Sequence, residues 1–348
     1  MTPYVLAFAL PVLLFPLRKL NRYAFIVALS LGWSLFAGLR LGIGGHDYFA
    51  YEDFFKALRG LSFESAAGRF EPLFRWLGLL SKSFGMGFHG FLSLTALLAV
   101  LPAVYVVDRR SGDSPVALFV FGVEWMLYGS FVILRQSIAM GLGFLAYDAL
   151  EEKRYKAFFL LGVLASGFHY SALVLLVLPL FQKELDWRLR NCLFIGAFTA
   201  LVVLEVFLNN SAAFGNQNWL LRRLLLYLGP GGNNRLNLLN IAEIGALSIL
   251  VYRYVVFEKP LFRNAYFIYI CFAVLALQDA IFIRFGWYFE IAIALLLPGI
   301  IREAWKRRYE GVVVSLGLFL YYSAKTARWL LTNSDYLGGF LPYRWIIG

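Results

Sequence analysis

The sequence is short of charge, cysteine and histidine, and each shortage removes a class of protein. Charged residues make up 15% of its 348 residues and hydrophobic residues 61%. A soluble domain carries about 25% charge, so an ordinary soluble fold is excluded. The two cysteines, Cys192 and Cys271, lie inside apolar runs, which argues against a disulfide framework or a thiolate metal centre. Three histidines, His46, His89 and His169, stand far apart and match no zinc spacing. There is no Asp-x-Asp pair, and the neighbours Glu52 and Asp53 read as a solvated helix face. Without a carboxylate cage for a divalent cation, no metal and no cofactor is expected. Linkers, low-complexity stretches and internal repeats are also lacking, so residues 1–348 read as one bundle. The apolar run 3–17 has no basic residue before it and Arg18, Lys19 and Arg22 after it. That is the reverse of a cleavable signal and reads as a retained first span with its N-terminus outside.

What the sequence has is apolar length. A helix needs about 20 mostly apolar residues to cross a bilayer. Candidate spans are 3–17, 23–41, 87–107, 115–134, 136–150, 191–208, 237–256, 264–283, 285–301 and 311–327. The run 157–181 is interrupted by Gly167, Phe168, His169, Tyr170 and Ser171, so it is one long span or a tight hairpin of two. Short cytoplasmic loops collect Lys and Arg. With a hairpin, the loops 18–22, 108–114, 151–156, 182–190, 253–263 and 302–310 share one side and hold more than half of the 32 basic residues. With a single span, Arg302, Lys306, Arg307 and Arg308 fall on the wrong face. The expected fold is therefore all-α and polytopic, with about twelve transmembrane helices and both termini outside. Outer segments fall at 42–86, 209–236 and 328–348. Within them, 46–60, 71–83 and 217–228 read as short helices in the outer interface. The net charge of +11 belongs to this loop bias, and membrane lipids rather than nucleic acid are the expected surroundings.

Polar residues at the outer hairpin tips are the functional candidates. Arg135 and Arg284 each sit between two apolar runs, and His169 sits at a third tip. Ionisable groups at membrane depth are costly and mark function by default. Arginine stays charged and binds phosphate oxygens through a planar fork, so two arginines suit a diphosphate. The bland readings stand beside these. Both arginines could be snorkelling anchors, and His169 a hydrogen-bonded core residue. Asp47 and Glu71 could cap the helices that begin just after them. Glu124, Glu205, Glu243, Asp279 and Glu290 lie in apolar runs and are expected mostly to pair inside the bundle.

Five stretches in order resemble the EpsG/Wzy-type polysaccharide polymerases. They are Arg40 with Gly45-His46-Asp47-Tyr48-Phe49-Ala50-Tyr51, Glu71-Pro72-Leu73-Phe74, Leu134-Arg135-Gln136, Phe168-His169-Tyr170-Ser171-Ala172-Leu173, and Arg284-Phe285-Gly286-Trp287-Tyr288-Phe289 with Pro298. Arg40 to Asp47 is one residue longer than the family pattern, and 205–260 has no match. The resemblance implies a membrane glycosyltransferase. It would join oligosaccharide units carried on undecaprenyl diphosphate into O-antigen, capsule or exopolysaccharide, at the outer face of the bacterial inner membrane. It implies His169, Asp47 and Glu71 as candidates for the base. Arg135, Arg284, Tyr288, Tyr48, Tyr51 and Arg40 would bind diphosphate or substrate. The partners implied are the lipid-linked oligosaccharide and a chain-length regulator protein. A glycan ligase working on the same lipid carrier shares this architecture. A flippase of lipid-linked glycans is the other alternative, and it would favour internal repeats.

Overall fold

A computed structural model describes residues 2–58, 70–110, 114–209, 238–254, 260–277, 281–334 and 338–346. Among them there are helices and one isolated antiparallel bridge, Arg40 with Trp345, but no strand. The chain forms two compact units, residues 1–173 with 297–348, and residues 174–296.

The first unit begins with α1 (Thr2–Leu13), α2 (Phe15–Leu20) and α3 (Arg22–Gly38), followed by α4 (Gly45–Ala57) and α5 (Pro72–Ser83). Next come α6 (Phe88–Arg110), α7 (Ser114–Phe121), a π-helical turn (Gly122–Met126), α8 (Leu127–Phe131), α9 (Leu134–Glu151) and α10 (Tyr155–Phe168). Its core is α6 flanked by α3 and α9, with α10 against α9. Small residues permit this. A Cβ on Gly141 would sit 2.5 Å from the Ala99 carbonyl oxygen, and one on Gly38 would overlap Ser93. Close backbone approach through small residues is how membrane helices gain packing energy when lipid is as apolar as their side chains.

Ion pairs close one end of this unit. Asp108 accepts from Arg18 at 2.5 Å and from Arg22 at 2.5 Å. Asp148 takes Arg109 at 2.8 Å, Arg110 at 2.5 Å and Arg154 at 3.4 Å. The basic turns 18–22, 108–110 and 151–156 are thereby gathered together. At the other end Tyr4 donates to the Phe340 carbonyl at 2.6 Å, which brings the two ends of the chain together.

A 3₁₀ helix (Tyr170–Phe181) leads into the second unit, which holds α11 (Trp187–Asn209), α12 (Leu238–Tyr254), α13 (Pro260–Leu275) and α14 (Ile281–Glu290). Asn264 at the start of α13 donates to the Phe181 and Lys183 carbonyls at 2.8 and 2.6 Å, fixing that turn. α15 (Ala292–Ala304) returns the chain to the first unit, which ends with α16 (Arg308–Thr332) and the segment 338–346.

Among the described residues, two helices are long and apolar enough to cross a membrane alone, Thr2–Leu20 and Phe88–Arg110; α14 with α15 makes a third across a 48° bend. Shorter apolar helices cover Arg22–Gly38, Pro115–Phe131, Tyr155–Phe168, Tyr170–Phe181 and Pro260–Leu275. This is an integral membrane protein with an all-helical fold. Of the outer helices read from sequence, 46–60 is α4 and 71–83 is α5, while 217–228 and most of 209–236 lie outside the described residues. So do Asp279 and the side chain of Glu205.

Candidate functional site

The site is built at the end of the first unit opposite the ion-paired turns. Pro72 opens α5, where its fixed φ suits the first helical position. Glu71 before it takes φ −61° and ψ 150°, and its side chain caps nothing. The carboxylate turns aside instead and is buried, with 4% exposed. Its Oε1 accepts from His169 Nδ1 at 2.9 Å and its Oε2 from Arg135 Nη1 at 2.5 Å. Burial pushes this carboxyl up, but the His169 hydrogen bond and the Arg135 charge outweigh it and hold Glu71 below the ordinary carboxylate value. An ionised carboxylate only accepts. His169 Nδ1 is therefore the donor, and in the neutral ring this tautomer leaves Nε2 as the acceptor.

His169 reaches Glu71 because α10 stops at Phe168. His169 itself is extended, at φ −154° and ψ 118°, and its N–H donates to the Ala165 carbonyl. Gly167 lets this break approach α5, since a Cβ there would sit 2.5 Å from Leu73 Cδ1. The side chain of His169 is 20% exposed.

Arg135 is the second residue of α9, just past the turn Val132–Ile133. Its guanidinium lies over the Phe70 ring, 4.8 Å from the centroid, and hydrogen-bonds the Tyr51 hydroxyl of α4. Among the described residues its buried Nε finds no acceptor. Burial raises the Tyr51 phenol above its ordinary value even with Arg135 beside it, so Tyr51 stays a neutral donor. With neutral imidazole, the Arg135, Glu71 and His169 charges sum to zero; a proton on His169 makes the sum positive.

Asp47 is exposed in the first turn of α4, one helical turn before Tyr51. Arg40 and Tyr48 form a second, buried arrangement. Arg40 Nε donates to the Ile43 carbonyl at 2.7 Å and Nη2 to Phe131 at 3.1 Å, while Nη1 donates to the Ala37 carbonyl. The Tyr48 ring covers its guanidinium at 5.6 Å. Arg284 and Tyr288 belong to the second unit. Arg284 lies within α14 rather than at a hairpin tip, and it is exposed; Tyr288 one turn later is fully buried. Gly286 between them packs on Phe272, whose ring stacks with Phe289. Glu124, expected to pair inside the bundle, pairs with Lys325 at 2.8 Å.

The structure thus joins Glu71, His169, Arg135 and Tyr51, with Asp47 on the helix that supplies Tyr51. Sequence reasoning missed Phe70 and the Phe131 carbonyl, because neither has a polar side chain to draw notice. Residues 23–345 match the family described as EpsG family. The chain belongs to the EpsG family. This is the family of Wzy-type polysaccharide polymerases, and the matched stretch contains every candidate site residue. No curated protein and no solved structure matches the chain. EpsG membership and apolar helices together make it a membrane protein of polysaccharide synthesis, and the Glu71 cluster is its candidate reaction centre.

Proposed function

We propose that this EpsG-family chain polymerises oligosaccharide repeat units carried on undecaprenyl diphosphate, working at the periplasmic face of the bacterial inner membrane. The hydrogen-bonded set His169, Glu71 and Arg135 carries the reading. A hydroxyl oxygen of the acceptor sugar attacks the anomeric carbon of the growing chain. The bond from that carbon to the phosphate oxygen breaks, and its electron pair leaves with the lipid diphosphate. His169 Nε2 takes the hydroxyl proton, a contribution of about 10²- to 10⁴-fold for a positioned base. Glu71 holds the imidazole in the accepting tautomer and stabilises the imidazolium.

Charge then tracks the chemistry. The cluster is neutral before reaction and gains one positive charge as the diphosphate gains negative charge. Preorganised charge is most effective where charge develops. The Arg135 Nε, left over by Glu71 and Tyr51, is the donor for a phosphate oxygen. Arg284, on α14 of the second unit, is a separate candidate for binding substrate. Asp47 and Tyr51 on α4 orient the acceptor sugar, while Arg40 and Tyr48 shape the protein beside them.

The twelve-span arrangement with both termini outside belongs to the same reading. What supports it is the first unit, where Tyr4 meets Phe340 while three basic turns gather at the opposite end. A chain-length regulator is the expected protein partner. The test is the purified protein in vesicles with a lipid-linked repeat unit as its only substrate. A glycan ladder with stoichiometric undecaprenyl diphosphate is expected, and His169→Ala should abolish it. Free monomer with no ladder would refute the reading.

A further inference from the structure

Among the described residues, Arg40 is the largest charged side chain that is completely buried, with 0% exposed, and the cluster around Glu71 does not use it. Three of its nitrogens donate to main-chain carbonyls on three segments: Ala37 at the end of α3, Ile43 before α4, and Phe131 at the end of α8. Its guanidinium also lies 4.6 Å from the Phe131 ring centroid. Only arginine has five donors in a rigid planar fork, so one side chain can tie three backbones.

Two of the tied segments lead to members of the site. Phe131 lies four residues before Arg135, across the Val132–Ile133 turn. Ile43 precedes Gly44, where α4 starts and runs on to Tyr51. Gly44 has φ +131°, and a Cβ there would sit 2.4 Å from the Phe131 oxygen. The Phe131 carbonyl is therefore a junction, taking a hydrogen bond from Arg40 and packing directly on Gly44. The segment 338–346 closes the junction from outside. The Gly338 carbonyl accepts from the Gly44 and Gly45 N–H groups at 3.0 Å each, a cap that glycine cannot supply for itself. Leu41 N–H donates to Arg344 at 2.9 Å, and Ile346 N–H to Leu39 at 3.0 Å.

We infer that Arg40 is a positioning residue. It meets no substrate; it locks the start of α4 to the turn before α9, so that Tyr51 and Arg135 face each other beside Glu71. The inference rests on the polymerase reading for its kinetic consequence and on geometry alone for its structural one. It departs from a role for Arg40 as a direct ligand of the diphosphate.

Two measurements on the full chain test it. The first is polymerisation kinetics of Arg40→Lys and Gly44→Ala at matched protein level. Lysine keeps the charge but cannot span three carbonyls, and Gly44→Ala forces the same junction apart while leaving Arg40 intact. Misplacing a reacting group by about 1 Å costs on the order of 10²-fold. Both variants should lose about that in kcat, keep KM within about threefold, and lose little more when combined, because coupled sites are not additive. The second is the distance distribution between spin labels at Ala50→Cys on α4 and Met86→Cys, with Cys192 and Cys271 replaced by serine. Arg40→Lys should broaden it without any substrate. A tenfold rise in KM with kcat kept, together with normal Gly44→Ala kinetics, would show Arg40 to be a substrate ligand and overturn the inference. So would a sharp distance distribution in Arg40→Lys. If the unaltered protein makes no polymer, the function reading fails and the label distances alone decide the positioning.

Discussion

Replacing Glu71 by glutamine keeps shape and removes one charge, and the hydrogen bonds around it set the outcome. The carboxylate serves two donors at once, Arg135 at 2.5 Å and His169 at 2.9 Å. Glutamine offers one acceptor and one donor. Its oxygen will go to Arg135, because a hydrogen bond to a charged group contributes about 1.5–3 kcal/mol against about 0.5–1.5 for a neutral one. Its NH₂ then faces His169 Nδ1 and forces that nitrogen to accept. The ring proton moves to Nε2, the atom proposed to take the proton from the sugar. The energy difference of about 1–1.5 kcal/mol between the two orientations is roughly tenfold in tautomer population. The imidazolium also loses its carboxylate, so kcat should fall by about 10²- to 10³-fold, within the range for a general base. KM should change by less than about threefold. The assay is release of undecaprenyl diphosphate in the first turnover, in vesicles with equal amounts of folded protein. Turnover of Glu71→Gln within about threefold of the unaltered protein would refute both the tautomer argument and the assignment of His169 as base.

The same geometry fixes other outcomes. Arg135→Lys keeps a charge for Glu71 but not a fork for Tyr51 and a phosphate oxygen; polymerisation should drop about 10- to 100-fold, read as glycan ladder intensity. Glu71 has a depressed folded pKa. Its stabilising contribution is therefore complete above its unfolded value of about 4.3 and is lost as pH falls through the folded value. Thermal unfolding in detergent should show Glu71→Gln lowering the midpoint at pH 7 and the gap closing in acid below pH 4. Gly141→Ala, which drives a Cβ into the Ala99 carbonyl, should cost about 1–3 kcal/mol by overpacking, measured as a lowered unfolding midpoint with His169 and Glu71 intact. A cysteine at Glu184 should be shielded from a membrane-impermeant reagent added outside; ready labelling would invert every later loop.

The break at 167–171 is legible in the sequence because glycine, histidine and serine interrupt an otherwise apolar run, and the chain does leave the α-helix at His169. Glu71 before Pro72 is legible as a helix start, yet the capping role that position suggests is not the one its side chain takes. Its partners lie 64 and 98 residues onward, and only packing of α5 against α10 brings them within reach. Arg284 reads as a hairpin tip because it divides two apolar runs, whereas the helix simply carries it through on an exposed face. The C-terminal segment is the least legible part. Its hold on residues 39–45 runs through main-chain groups of Gly338, Arg344 and Ile346, which any sequence possesses, so no residue type announces it.

The cap on α4 has a consequence for how the protein is made. A chain grows at about 5–20 residues per second, and Gly338 is synthesised about 290 residues after Gly45. For a period on the order of tens of seconds, the helix that carries Tyr51 sits in the membrane with its first amides unserved. The segment that serves them leaves the ribosome only after that interval. Assembly of this end of the molecule therefore waits on residues 338–346, and a nascent chain arrested before α16 would lack the cap on α4.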